Sequence, residues 1–136
     1  MAELARGTFD VKLAPADLHQ RVDGPDGSLG RMSINKRFTG GIEGTSVGEM
    51  LTAFGGAGVK GSAGYVAVER VTGSLDGKKG SFILQHSSTM SRGVPQQSIA
   101  VVPDSGTDEL VGLSGTFTIT MVAGNHEYDF AYTLAP

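Results

Sequence analysis

Residues 116–121 and 127–133 alternate between apolar and polar side chains, with Ala131 as the exception. Phe117, Ile119, Met121, Tyr128, Phe130 and Tyr132 fall on one side; Thr116, Thr118, Thr120, Glu127, Asp129 and Thr133 fall on the other. A two-residue period is the mark of a half-buried strand. Taking Gly124-Asn125 as a two-residue turn, since both tolerate positive φ, sets Met121 against Tyr128, Ile119 against Phe130 and Phe117 against Tyr132. A one-residue slip would mix the two sets, so the apolar set marks a core or a pocket.

The same alternation predicts strands at Gly7–Leu13, Gly30–Thr39, Ile42–Thr52, Gly64–Thr72, Ser81–Thr89 and Gln97–Val102, before the pair Gly115–Val122 and His126–Leu134. Ser46–Phe54 also fits a short helix, because Val47, Met50, Leu51 and Phe54 repeat at helical spacing; we read it as strand. Gly24-Pro25-Asp26-Gly27 signals a turn, residues 55–61 a loop, and Asp108–Val111 one helical turn inside a Gly/Asp-rich connection. The 21 glycines lie between alternating segments, so they punctuate short strands and do not form a low-complexity tract. Eight strands in meander order predict an all-β, eight-stranded antiparallel closed β-barrel, one domain over residues 1–136, because closure removes exposed edges. A barrel of this size holds side chains or one small ligand.

The stretch VERVTGSLDGKKGSFILQHS, residues 68–87, brings candidate chemistry into that frame. With a four-residue loop, Asp76–Lys79, Glu69 lies opposite His86. With a two-residue loop, Asp76-Gly77, Glu69 faces Leu84 and His86 is its diagonal neighbour. Either way both share a face with Tyr65, Ala67, Val71, Phe82 and Leu84, which reads as the lumen. A carboxylate beside an imidazole can orient the ring and serve proton transfer, or can satisfy a buried polar network. Lys36 shares the otherwise apolar face of Met32, Ile34 and Phe38. It could bind an anionic group or extend outward.

Composition narrows the partners. There is no cysteine, so disulfides and cysteine-based zinc or nucleophile sites are excluded. A net charge of −3 with scattered basic residues argues against nucleic acid. No apolar run suits a membrane span and the first residues show no secretory signal, so a cytoplasmic protein is expected. Gly56-x-Gly58-x-x-Gly61 matches a dinucleotide fingerprint in letters, but a strand follows it where a helix is required. Gly44-x-Ser46-x-Gly48 matches a nucleophile elbow without the α/β sheet that motif needs. Glu69, His86 and His126 could form a two-His, one-carboxylate metal site, but a direct Glu–His hydrogen bond accounts for the same residues. No metal or cofactor is expected.

The segments LGRMSINKRFTGGIEGTSVGEML, GYVAVERVTGSLDGKKGSFILQHSSTM, VVPDSGTDELVGLSGTFTI and HEYDFAYTL resemble an uncharacterised bacterial family, a domain of unknown function, whose members are similar to the allene oxide cyclase and dirigent barrels. The resemblance spans roughly residues 5–135 and is most specific at Ser105–Gly115. It implies an eight-stranded antiparallel barrel with a central cavity, and dimers or trimers. The cyclase's catalytic residues find no matched positions here, so its chemistry is not carried over. The expected function is binding of a small, largely apolar organic molecule. Glu69 and His86 are the candidate catalytic pair for an isomerase or cyclase, and Lys36, Tyr65, Phe117, Tyr128 and Phe130 the candidate ligand contacts. The alternative is a non-catalytic carrier or an oligomeric structural partner.

Overall fold

The computed structural model describes residues 2–20, 28–56 and 60–135. Eight strands follow in chain order: β1 (Glu3–Ala16), β2 (Ser28–Gly40), β3 (Ile42–Phe54), β4 (Ala63–Leu75), β5 (Lys78–Ser91), β6 (Val94–Val101), β7 (Leu113–Val122) and β8 (Asn125–Leu134). They form one closed barrel in sequential order, with β8 returning to pair antiparallel with β1. The expected all-β barrel is therefore present. One 3-10 turn, Asp108–Leu110, lies in the β6–β7 connection. The expected turn at residues 24–27 and Gly58 of the Gly-rich loop lie outside the described residues. Among the described residues no helix is long and apolar enough to cross a membrane.

Most strands extend beyond the segments that the alternation marks. The segment with helical spacing is strand: Ser46, Gly48 and Met50 turn inward while Val47, Leu51 and Phe54 are exposed. Three hairpins use two-residue turns with positive φ at both positions: Asp76-Gly77, Arg92-Gly93 and Ala123-Gly124. Such turns match the twist of the flanking strands. The last one corrects the expected Gly124-Asn125. Phe117 consequently faces Phe130, Ile119 faces Tyr128, and Met121 faces His126. The register moves by two residues, so every side chain keeps its face.

The barrel interior divides into two halves. Toward the end that carries the β2–β3 and β4–β5 turns, apolar side chains fill the lumen. Phe38, Phe82, Phe117, Tyr128 and Phe130 pack with ring centroids 5.2–6.2 Å apart, and Leu110 of the 3-10 turn is buried with them. Toward the other end the lumen is hollow. The seam between β6 and β7 is the thinnest part of the wall, with a single paired position, Ala100 against Thr116. There the Gln97 side chain accepts a hydrogen bond from the Ile119 amide at 2.8 Å, in place of a ladder bond.

Candidate functional site

Four adjacent strands each contribute to a polar belt midway along the lumen. The pairing sets Lys36 on β2 against Ser46 on β3, Gly48 against Glu69 on β4, and Glu69 against Leu84 on β5. His86 is thus the diagonal neighbour of Glu69, as the two-residue Asp76-Gly77 loop requires. All three ionisable groups are buried: Lys36 is 7 %, Glu69 1 % and His86 3 % exposed. Groups of this type are seldom so deep unless paired.

They are paired through one atom. Glu69 Oε2 accepts from Lys36 Nζ at 2.8 Å and from His86 Nε2 at 2.5 Å. Burial raises the carboxyl pKa, but the His86 hydrogen bond and the Lys36 charge outweigh it and hold Glu69 at about 2, below its ordinary 4.5. Glu69 is therefore an ionised acceptor, and Nε2 of His86 carries the hydrogen it donates. Its other ring nitrogen, Nδ1, is buried without a protein partner. Glu69 Oε1 and Ser46 Oγ are likewise buried without a partner. The Lys36 ammonium also lies 4.6 Å from the Phe9 ring centroid, a cation–π contact that helps hold it indoors.

Gly48 makes the belt possible. A Cβ there would sit 2.3 Å from the Val68 carbonyl oxygen and 2.7 Å from Glu69 Cβ. Only a residue without a side chain lets β3 approach this close to Glu69.

Above the belt lies a cavity of about 500 Å³. Phe9, Ile34, Met50 and Ile119 line it, together with Tyr65, Lys36 and His86. Its rim carries Leu13, Phe54 and Met90, which are exposed. His126 lines the mouth and stacks on Phe9 at 4.9 Å. Among the described residues no three His, Asp or Glu side chains are grouped to hold a metal, so His126 does not join Glu69 and His86.

Of the expected ligand contacts, Lys36 and Tyr65 border the cavity beside His86, with Tyr65 and His86 ring centroids 6.3 Å apart. Phe117, Tyr128 and Phe130 do not. They belong to the packed half of the lumen, where neighbouring aromatic rings cover them. The Tyr128 hydroxyl accepts from the Ile42 amide at 2.8 Å and faces the Thr39 carbonyl at 3.0 Å. Burial pushes its phenol pKa up, so it stays protonated and tied to the backbone. Glu69 lies beneath the cavity and touches it only through its two partners. Ser46 and Gly48 are the belt members that sequence reading set aside with the nucleophile-elbow pattern; inward alternation from Ile42 marks both.

A family model described as a protein of unknown function, DUF3224, matches residues 5–132. No curated protein matches. Among solved structures, the crystal structure of a protein with unknown function from the DUF3224 family of Shewanella oneidensis MR-1 is 45% identical. The match covers 100% of this chain and 99% of that one, with a TM-score of 0.94. The chain belongs to the DUF3224 family.

Proposed function

We propose that this barrel binds a small, largely apolar organic molecule in the cavity above the Lys36–Glu69–His86 belt. The observation that carries the reading is the pairing of an apolar hollow of about 500 Å³ with a floor where a buried lysine and a histidine meet it. Ligand sites commonly combine an apolar wall with a few convergent polar groups. Lys36, Tyr65 and His86 contact the ligand's polar end, and Glu69 positions two of them. The belt suits acid–base chemistry of the isomerase or cyclase kind, and a kinship with the allene oxide cyclase and dirigent barrels fits the same topology.

Native mass spectrometry after incubation with a library of apolar alcohols, ketones and acids tests binding. One ligand per chain is expected, lost in Ile119→Trp, where the indole occupies the wall. Retention by the plugged variant, or no retention by the wild type, would overturn the reading.

A second reading has its own support. Leu51 pairs with Val66 on the outer face of β3 and β4, and Val47 and Val68 lie beside them; all four are more than half exposed. An apolar patch of this kind suits contact with further copies of the chain, in a dimer or trimer.

A further inference from the structure

We infer that the outer face of β3 and β4 is a two-fold interface between two copies of this chain, in which Glu49 of each copy meets Arg70 of the other. This rests on the outer-face contact read above and gives it a symmetry and a register.

The ladder between β3 and β4 sets Glu49 against Val68 and Val47 against Arg70. All four side chains are exposed, Val47 at 66 % and Val68 at 52 %. They make a rectangle with opposite charges at one pair of diagonal corners and valines at the other pair. A two-fold axis along the valine diagonal sets Val47 on Val47 and Val68 on Val68 of the second copy, and it brings the charged corners together twice. With strands ~4.8 Å apart and alternate residues ~6.8 Å apart, this rotation carries Glu49 to within about 3 Å of the Arg70 corner, measured along the sheet. Both side chains are long and flexible enough to close that gap. The strands of the two facing sheets then cross at roughly 70°, toward the orthogonal class of sheet packing.

Both charges are open to such a contact. Arg31 reaches Glu49 through Oε1 alone, by Nε at 2.7 Å and by Nη2, so Oε2 is available. Arg70 makes no ion pair among the described residues. Beside the rectangle the wall is hollowed: a depression of about 510 Å³ lies between Arg31, Glu49, Leu51, Val66, Val68 and Gln85. Leu51 and Val66, both more than half exposed, extend the apolar area there. An apolar centre flanked by complementary charges is the composition of a specific interface. A two-fold contact uses the same patch on both copies, and this patch complements itself; a three-fold contact joins two different patches and gains nothing from that property. None of the four side chains belongs to the cavity lining, so the contact leaves the hollow half of the lumen unaltered.

Sedimentation velocity of the full chain tests the interface with two charge reversals. The wild type is expected to form a reversible dimer. Glu49→Arg sets arginine against arginine twice, and Arg70→Glu sets glutamate against glutamate twice, so each alone should weaken association at least ~100-fold. An equimolar mixture of the two variants should regain the dimer, because every arginine at the interface then meets a glutamate. Bulk attraction does not explain that recovery: the wild-type charge is −3 and one reversal shifts it by two, so both variants stay negative. A wild-type trimer, reversals without effect, or a mixture that stays monomeric overturns the two-fold inference. In each of those cases, loss of the wild-type oligomer in Val66→Lys with Val68→Lys retains the outer-face reading, and its persistence overturns that reading as well. A wild type that is monomeric up to ~100 µM overturns both.

Discussion

A single carboxylate oxygen holds two buried nitrogens together at the centre of this barrel. Removing its charge leaves Lys36 and His86 without the partner that compensates their burial. Breaking a buried pair in this way costs roughly 3–5 kcal/mol, so Glu69→Gln should lower stability by about that much in urea unfolding. Lys36→Met in the same chain should restore part of the loss. The Glu69 pKa, about 2 in the folded protein against 4.5 ordinarily, makes stability depend on acid. Because the folded value is lowered, the contribution is complete above pH ~4.5 and disappears as pH falls toward ~2, a change on the order of 3 kcal/mol. Denaturation curves across that window should show the slope in the wild type and a flatter one in Glu69→Gln. Gly48→Ala should destabilise by about 1–3 kcal/mol, since the new Cβ would overlap the Val68 carbonyl oxygen and Glu69 Cβ. The shared face of Glu69 and His86 was legible in the sequence, because any even loop between β4 and β5 preserves it. The Lys36 contact was not, because it depends on how far β2 and β3 shift along β4 when the sheet closes. Alternation along a single strand carries no record of that shift.

Strand existence was written in the alternation of apolar residues, but strand ends were not. Backbone pairing carries β1 back to Glu3 and β5 forward to Ser91, through residues whose side chains, Ala5 apart, are exposed. The last hairpin shows a second limit. Ala123 takes a φ of 50°, a conformation uncommon for a residue with a Cβ, so composition alone favoured the following Gly-Asn. Pairing of β8 with both β7 and β1 decides the turn. The β6–β7 seam is the element where the wall is least secured, with one ladder position and the Gln97–Ile119 bond. Hydrogen exchange should therefore be fastest, among strand amides, on the β7-facing side of β6 and over the second half of β7. Gln97→Leu should accelerate exchange at Ile119 further while leaving β2–β4 unchanged. Equal protection at the seam and in β2–β4 would contradict this picture.

The molecule as a whole is a barrel filled at one end and hollow at the other. The apolar face predicted for β7 and β8 contributes mostly to the filled end, which is why Phe117, Tyr128 and Phe130 stabilise the fold and leave most of the cavity wall to β1–β6, with Ile119 of β7 and His126 of β8 completing it. Composition and alternation specified which residues point inward; they could not specify at which height along the axis the lumen stops being packed. On the outside, Val66→Lys with Val68→Lys should dissociate any dimer or trimer in sedimentation velocity without altering the cavity, since both side chains face away from it. The most direct test of the hollow half is an amide chemical-shift titration of the labelled protein with apolar ketones, alcohols and acids. The expected result is a saturable response gathered at Lys36, Tyr65, His86 and Ile119 and absent from Val66 and Val68. No saturable response to any of these compounds, or one confined to the outer face of β3 and β4, would contradict ligand binding inside the barrel.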